Sequence, residues 1–480
     1  MTIQRSSITV FSSQIAFTIA GFLATMYFAH VLGAKILGMY FLFMTVVEIL
    51  SLFMDAGLGA GTVKRISEGK EKSEFFTASL FMHTFTLGLA LIPIYIFKDY
   101  LNNYIGADVL FFLILALAML RYSYLFKAVL AGEKKVGTSS IISLIAQLAR
   151  IGFQVLLVIL GFELFGLLGG FCVGIFISIP LGIYLIEVKI KKPRIYHIKS
   201  IFSFSKYAFG IGFGEYLYQW MDLMVIGLFL PKMYAGVYGA CWVFSSIAVF
   251  ATSAIASTLF PYVSEWSANN KTKEIENAFK EGITYSLILA IPIFAGMLIL
   301  SKDLLYYAYG SSFAIGWLVL IILTAARLIE TVQTIIRQVL SGMDRPDLVF
   351  RITCVIIALN LVANFVLVYT IGFVGAAIAT LLTIIVSLAL GLGYIKGAIS
   401  ISMPWTEIKD EVVSAIIMGV VVLLLAHYLS GLLSLVVCVV VGAVVYFVIL
   451  LSMNKKIRDR LFSLVSDIVK MRGHILMRKE

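Results

Sequence analysis

Four polar residues of the sequence have the side-chain chemistry of a site for a small cation. Asn360 and Asn364 are one helical turn apart and share a helix face, and Asp222 and Thr380 lie in two other apolar segments. One carboxylate combined with several neutral oxygen donors suits a hard monovalent cation. We therefore predict that Asp222, Asn360, Asn364 and Thr380 converge on a site for Na⁺ or H⁺. Hydrogen bonding that only holds helices together is the alternative interpretation.

A second group of charged residues lies inside apolar segments. Each such charge costs about 2.5–3.5 kcal/mol at mid-depth in a bilayer, so it must face a partner or water. The candidate substrate-binding residues are Arg121, Arg150, Arg327, Arg337, Glu48 and Glu215. This many charges in apolar segments predicts a hydrated cavity, internal ion pairs, or both.

Arg327, Glu330 and Arg337 share one helix face, because they are separated by three and seven residues. Two interpretations remain open at this point. Arg327 and Glu330 form a structural ion pair, or Arg327 or Arg337 attracts a pyrophosphate, since a guanidinium matches phosphate oxygens in a bidentate way.

The elements that position these side chains are long apolar segments. The chain of 480 residues is 61% hydrophobic and 13% charged, with a mean hydropathy of +1.02, which is far from soluble globular usage. A hydrocarbon core of about 30 Å takes roughly 20 helical residues to cross. The predicted spans are 8–31, 37–54, 75–97, 109–131, 137–160, 163–186, 205–230, 234–260, 281–301, 313–341, 347–370, 373–395, 411–430 and 432–452. Because backbone groups in lipid must be satisfied within the segment, we predict an all-α integral membrane protein with about fourteen transmembrane helices.

Lysine and arginine accumulate in alternate connections between these spans. The basic connections lie at 64–72, 127–135, 189–206 and 271–280 and at Arg345. The opposite connections carry only Lys35, Lys98, Lys232 and Lys302. Since basic loops stay on the cytoplasmic side, we expect a multi-pass protein of the cell (cytoplasmic or inner) membrane with both termini in the cytoplasm. This sorting explains much of the net charge of +11, so no nucleic-acid partner is needed.

The C-terminal tail, 455–480, mixes basic and apolar residues. That composition suits an amphipathic helix on an anionic membrane surface, and a stop-transfer tail that only fixes topology is the alternative.

Motifs for catalysis and for nucleotide binding are absent from the sequence. There is no Walker A loop and no GxSxG elbow, so neither ATP-driven transport nor an enzyme is expected, and no cofactor beyond the coupling cation. Cys172, Cys241, Cys354 and Cys438 lie in apolar spans without CxxC spacing, which predicts buried thiols rather than metal ligands or disulfides.

An internal repeat connects the two halves of the chain. Four short elements recur about 200 residues later in the same order. The pairs are Leu32–Tyr40 with Leu230–Tyr238, Ile92–Ile94 with Ile291–Ile293, Lys98–Leu101 with Lys302–Leu305, and Lys127–Gly132 with Arg337–Gly342. Because one repeat holds six spans, the copies have the same orientation in the membrane, with a substrate site expected between the bundles. The predicted domains are two six-helix bundles, 1–190 and 191–400, two additional helices, 401–454, and the basic tail, 455–480.

The chain resembles the polysaccharide and O-antigen (Wzx-like) flippases of the multidrug/oligosaccharidyl-lipid/polysaccharide (MOP) exporter superfamily. The resemblance is carried by Leu32–Tyr40 and its echo Gly236–Tyr238, by Asp55–Leu58, by Leu130–Gly132, and by the layout of the whole chain. It implies transport of a polyprenyl-linked glycan by alternating access for surface-glycan biosynthesis. The partners it implies are the lipid-linked glycan, membrane lipids, and glycan polymerase or ligase machinery. It also likens Asp222, Asn360, Asn364 and Thr380 to the sodium site of the lipid II flippases.

The sequence departs from the lipid II flippases at their cavity arginines, which those proteins carry on helices one, two and eight. Here the first two spans offer Gln14, Thr18 and Glu48, and the eighth has no charge in its interior. A less anionic or differently contacted glycan is therefore the expected substrate. A multidrug/cation antiporter of the same superfamily is the alternative, although the extra helix pair at 411–452 argues against it. A membrane enzyme would need a substantial outer loop, and the outer loops are short.

Overall fold

All regular secondary structure in the described part of the chain is helical. The computed structural model describes residues 3–397, 399, 402–429 and 431–460, with side chains from residue 16 onward except at 210–212, 215 and 251. The first eight helices are α1 (Ile3–Asp55), α2 (Leu58–Ser67), α3 (Lys72–Ile96), α4 (Lys98–Ile105), α5 (Leu110–Gly132), α6 (Val136–Ile159), α7 (Glu163–Leu185) and α8 (Ile195–Phe229). The other eight are α9 (Lys232–Ser245), α10 (Phe250–Ala268), α11 (Thr272–Tyr309), α12 (Trp317–Gly342), α13 (Pro346–Ile371), α14 (Phe373–Lys396), α15 (Trp405–Tyr428) and α16 (Leu432–Met453).

Eleven helical segments in the described residues are long and apolar enough to cross a membrane, or twelve if the bent pair α9 and α10 is one span. The chain is therefore a multi-pass membrane protein, and the predicted all-α class is confirmed. The basic tail was predicted over 455–480, of which 461–480 lies outside the described residues.

The first two predicted spans, 8–31 and 37–54, meet at a kink, because α1 consists of two helices joined at Gly33. Only Gly33 leaves the helical conformation, with φ 74° and ψ 175°. A positive φ strains residues that carry a Cβ atom, and glycine adopts it at little cost. Further along, a 3₁₀ turn at Ser246–Val249 separates α9 from α10, where one continuous span was predicted.

Two compact units divide the chain. The first comprises Met1–Phe244, Ala308–Val319 and Thr353–Thr380, and the second comprises Ser245–Tyr307, Leu320–Ile352 and Leu381–Glu480. The predicted domain boundaries near 190 and 400 are a separate hypothesis about the repeat, and they stay a prediction.

A glycine face brings α6 and α7 of the first unit close together. A Cβ atom built on Gly170 would lie 2.5 Å from the backbone nitrogen of Gln154, and one on Gly174 would lie 2.5 Å from the Cβ atom of Arg150. Gly166, one turn earlier, meets the same helix. Small residues one turn apart let helices in a membrane pack backbone to backbone. This packing positions Arg150 on α6.

The connection between α7 and α8, one of the basic loops, is held by Glu133. The Glu133 carboxylate accepts hydrogen bonds from the backbone nitrogens of Glu187 and Val188 at 2.8 and 3.1 Å. Lys135 binds the carboxylates of Glu133 and Glu187 at 3.0 and 2.9 Å. Its hydrogen bond holds the pKa of the exposed Glu187 carboxyl below its usual value.

The core of the second unit is formed by α11, α12, α15 and α16, with Phe279, Ile335, Val339 and Tyr446 fully buried. Three of the four cysteines, Cys172, Cys241 and Cys438, are buried as predicted. The prediction is wrong for Cys354, which lies on an exposed face of α13.

Candidate functional site

The carboxylate of Asp222 on α8 receives hydrogen bonds from three other helices of the first unit. Asn364 on α13 donates from Nδ2 to Asp222 Oδ1 at 2.8 Å, and Thr380 on α14 donates to Asp222 Oδ2 at 2.7 Å. The hydroxyl of Tyr238 on α9 also donates to Asp222 Oδ2. Asn364 Nδ2 lies 3.1 Å from Asn360 Oδ1 as well. We call these five residues the Asp222 cluster.

The residues of the Asp222 cluster are buried, as is usual for a carboxylate inside membrane-spanning helices. Asp222 is 3% exposed, Asn360 and Asn364 are fully buried, and Thr380 is 6% exposed. Within this buried site the amide oxygen Asn364 Oδ1 has no hydrogen-bond partner among the described residues. A buried polar atom without a partner is costly and calls for a ligand or a water.

The oxygens of the Asp222 cluster fit a monovalent cation. They comprise one carboxylate, two amide oxygens and two hydroxyls, which are the ligands that hard cations prefer. Clusters of three or more His, Cys, Asp or Glu side chains, as transition metals need, are absent from the part of the chain that the structure describes.

A cavity of about 220 Å³ that contains charged side chains lies elsewhere in the first unit. Two carboxylates and two phenols are among its lining residues, which are Glu48, Ser51, Leu52, Asp55, Gly59, Tyr124 and Tyr216. We call it the Glu48 cavity. Glu48 and Asp55 are two turns apart on α1, so both face the same side. The cavity therefore offers hydrogen-bond acceptors, phenolic hydroxyls and aromatic faces within an otherwise apolar set of helices.

Arg121 on α5 forms a buried ion pair at the rim of this cavity. Its Nη1 atom lies 2.9 Å from Asp55 Oδ1, and its side chain is 2% exposed. Arg121 Nε and Nη2 have no hydrogen-bond partner within the described residues, and neither ring nitrogen of the fully buried His83 on α3 has one. His83 lies within electrostatic reach of Arg121. The ion pair uses one nitrogen of the guanidinium and leaves two for waters or a ligand group.

Arg150 is the countercharge of Glu48. The two lie within electrostatic reach of one another, and the Arg150 guanidinium carbon is 5.8 Å from the centre of the Phe171 ring. Asp55 is thus ion-paired with Arg121, and Glu48 has Arg150 within electrostatic reach. The Glu215 side chain, also predicted for substrate binding, lies outside the described residues.

Arg327 and Glu330 form an ion pair in the second unit, with Arg327 Nη1 at 2.6 Å from Glu330 Oε2. Arg327 is nearly buried, whereas the Glu330 side chain is 31% exposed. Arg337 lies on the same helix, half-buried. The predicted Arg327–Glu330 ion pair is therefore present. A role of Arg327 and Arg337 in phosphate binding stays a prediction.

Five residues of these sites were missed or not assigned a role from the sequence. Asp55 and Tyr238 were named only as the ends of motifs, and His83, Tyr124 and Tyr216 were assigned no role. A helix periodicity links residues three, four or seven apart, and it carries no signal for partners 66 residues away. The placement of Tyr238 in the second copy of the repeated element was the only available signal for it.

Comparison with known proteins agrees with the resemblance seen in the sequence. A family model described as polysaccharide biosynthesis protein matches residues 27–316. A probable low-salt glycan biosynthesis flippase of Haloferax volcanii, Agl15, is 34% identical over 419 residues, covering 87% of this chain and 89% of that protein. A probable flippase of the same organism, AglR, is 26% identical over 475 residues, covering 96% and 98%.

Solved structures show the same fold at low sequence identity. A lipid II flippase, MurJ, in an inward closed conformation superimposes with a TM-score of 0.77 at 16% identity, covering 92% of this chain and 97% of that one. An inward-facing multidrug resistance MATE transporter of the MOP superfamily gives 0.65 at 15% identity, covering 81% and 98%. The chain is therefore a member of the polysaccharide biosynthesis protein family, with the fold of MOP superfamily transporters.

Proposed function

We propose that this protein moves a lipid-linked oligosaccharide across the cell membrane by alternating access, for the synthesis of a surface glycan. The observation that carries the proposal is the Glu48 cavity, which offers polar groups to a hydrophilic cargo inside apolar helices. The family membership and the probable flippases among its relatives support the same function. The chain then acts as a transporter without catalytic activity of its own.

The glycan head group suits the chemistry of the cavity. Sugar hydroxyls donate to carboxylates such as Glu48 and Asp55, and the apolar faces of sugar rings pack on aromatic rings such as Tyr124 and Tyr216. Arg121 and Arg150 neutralise the carboxylates. Arg327 and Arg337 are the proposed phosphate-binding residues, because guanidinium groups suit phosphate oxygens.

We further propose fourteen transmembrane helices in two parallel six-helix repeats followed by α15 and α16. The break at Gly33 gives α1 two spans, α8 is one span, and α9 with α10 is another. On this scheme the bundles are 1–190 and 191–400, followed by 401–454 and the tail 455–480. An even number of spans together with the basic loops gives both termini a cytoplasmic location.

The ends of two helices support the repeat. In the first copy α5 ends at Gly132, where a Cβ atom would lie 2.8 Å from the Cβ of Ile66. In the second copy α12 ends at Gly342, where a Cβ atom would lie 2.9 Å from the Cβ of Val263.

The turns that follow these two helices also match. Lys134 has a φ of 62° and Asp344 has a φ of 60°. Positive φ values are uncommon outside glycine, so their occurrence at corresponding positions favours a shared origin of the two halves.

The Asp222 cluster is proposed to couple transport to Na⁺ or H⁺. A half-turn of the Asn364 amide would exchange its nitrogen and oxygen and bring Oδ1 towards Asp222 Oδ1 and Asn360 Oδ1. Three oxygens facing one another repel unless a cation lies among them. The Asp222 carboxylate is thus stabilised either by the hydrogen bonds of the cluster or by a bound cation.

Deletion of the gene in its host tests the proposed function. Lipid-linked saccharides are extracted and identified by mass spectrometry. A separate assay on intact membranes determines which membrane face exposes them. We expect accumulation on the cytoplasmic face and loss of a surface glycan, both reversed by the wild-type gene. An unchanged lipid pool with new sensitivity to cationic drugs would instead favour the multidrug antiporter. Glycan polymerase or ligase machinery is the expected consumer of the exported product.

A further inference from the structure

Glu411 on α15 is a fully buried carboxyl without a partner. The residue is 0% exposed, and neither Oε1 nor Oε2 has a hydrogen-bond partner among the described residues. Trp405, at the start of the same helix, is 71% exposed. Six residues of helix separate the two, so Glu411 lies about 9 Å further along the helix axis. A carboxyl at this place is isolated from water.

Three polar side chains near Glu411 donate hydrogen bonds to other acceptors. Lys456, which follows α16, donates to Glu407 at 2.9 Å. Asn454 donates to Asp410 Oδ2 at 2.8 Å, and Ser414 donates to the backbone oxygen of Asp410 at 2.7 Å. These bonds tie the first turns of α15 to the end of α16, and they provide no counterion for Glu411.

The remaining charges near Glu411 oppose a further negative charge. Glu407 and Asp410 on its own helix lie within electrostatic reach and have the same sign. From α16 the group within reach is Tyr446, which is fully buried and whose hydroxyl has no hydrogen-bond partner in the described residues.

The charged groups of α11 in this region act on other partners. Lys280 interacts electrostatically with Glu407, and Glu281 interacts electrostatically with Tyr285 and Lys456. Apolar side chains such as Met418, Val422 and Leu450 complete the packing of the helix pair.

We propose that Glu411 is a proton-binding site of the α15–α16 helix pair. Its carboxyl holds a proton while the two helices are packed, because an ionised carboxyl without a partner is too costly in this environment. When water reaches the carboxyl, the O–H bond breaks, the proton passes to water, and a carboxylate remains. Packing of the pair is thereby linked to pH. The site is separate from the Asp222 cluster, and the proposal depends on neither glycan transport nor cation coupling.

Infrared spectroscopy of the purified full-length protein at neutral pH tests the assignment directly. A protonated carboxyl has a C=O stretching band that a carboxylate lacks. We expect that band in the difference spectrum between wild type and Glu411→Gln, and its retention in the matched control Glu407→Gln, whose carboxylate is paired with Lys456. Absence of the band from the wild-type minus Glu411→Gln spectrum overturns the proposal. A band that disappears on adding sodium chloride at constant pH overturns it as well, since a cation then takes the place of the proton.

Thermal unfolding gives a second, independent readout. In the unfolded chain, the Glu411 carboxyl loses its proton once the pH exceeds the ordinary pKa of a glutamate, whereas in the folded chain it keeps the proton. The free energy of unfolding therefore falls as the pH rises. We expect the melting temperature of wild type to fall by about 2 °C per pH unit between about pH 5 and about pH 8. This slope persists in Glu407→Gln and is lost in Glu411→Gln.

A third variant covers the case in which Glu411→Gln does not fold. Glu411→Met replaces the carboxyl with an apolar chain of similar length, which a neutral site tolerates. If neither the Gln nor the Met variant folds, the site requires a carboxylate and the proposal is wrong.

Discussion

Gly38 of α1 and Gly236 of α9 pack backbone against backbone in a reciprocal way. A Cβ atom on Gly38 would lie 1.8 Å from the carbonyl oxygen of Lys232, and one on Gly236 would lie 2.0 Å from the carbonyl oxygen of Ala34. Either Cβ atom would lie 2.9 Å from the backbone nitrogen of the other glycine. In the alignment of the repeated elements, Gly38 corresponds to Gly236 and Ala34 to Lys232. Equivalent residues therefore make equivalent contacts, which supports the proposed repeat.

The first prediction concerns this contact. Gly236→Ala should destabilise the protein by about 1–3 kcal/mol or more, because the atoms in the way belong to the backbone and cannot rotate aside. Gly88→Ala on α3 is the matched control, since nothing lies within 4 Å of its Cβ position; it should be neutral or stabilising by up to about 1 kcal/mol. Thermal unfolding of the two purified variants decides the matter, and equal stability would mean that α1 and α9 do not cross at these glycines.

The second prediction concerns the Asp55–Arg121 ion pair. Arg121→Met leaves Asp55 without its countercharge and should cost about 3 kcal/mol of stability. Asp55→Asn should cost more, because it leaves the Arg121 guanidinium, which is 2% exposed, without a countercharge, whereas Asp55 is 29% exposed. The double variant should be less destabilised than the sum of the single variants, as measured by thermal unfolding in a double-mutant cycle. Additive effects would show that the two side chains do not interact.

The third prediction concerns sodium and the Asp222 cluster. Ligand binding stabilises the folded state by about 2.7 kcal/mol at 100 times the dissociation constant, so wild type should melt at a higher temperature in sodium chloride than in choline chloride. Asp222→Asn should remove this difference. Asp410→Asn, which alters a carboxylate of the second unit, should preserve it. A wild-type protein that melts at the same temperature in both salts has no sodium site at Asp222.

The fourth prediction separates structure from substrate binding at Arg327. Arg327→Ala should lower glycan export by about tenfold, the equivalent of about 1.4 kcal/mol, and Arg327→Lys should retain part of it because the charge remains. Export is measured by complementation of the deletion strain. Should Arg327→Ala/Glu330→Ala restore normal export, the pair serves only to hold α12, and Arg337 remains as the phosphate-binding candidate.

The sequence predicted features that depend on local pattern. The all-helical class follows from apolar segments of membrane-crossing length, and the Arg327–Glu330 pair follows from a spacing of three residues. The boundary between the first two spans was predicted between residues 31 and 37, and the structure has its kink there, at Gly33.

Contacts between residues on different helices could not be predicted from such local patterns. Arg121 was identified as an intramembrane charge, but its partner Asp55 lies on a different helix. Tyr238 on α9 donates to Asp222 on α8, and helical periodicity does not relate residues on two helices. Asp222, Asn360, Asn364 and Thr380 were grouped together in advance because oxygen chemistry and the resemblance to a known family agreed.

Purified protein in sealed vesicles with a lipid-linked oligosaccharide provides the most direct test of the transport function. The measurement is the rate at which the glycan becomes accessible to an enzyme outside the vesicles. We predict that wild type moves the lipid much faster than protein-free vesicles do, that Glu48→Gln slows it, and that Glu68→Gln at an exposed helix end does not. A rate equal to that of protein-free vesicles, from protein that is folded, would contradict the proposed function.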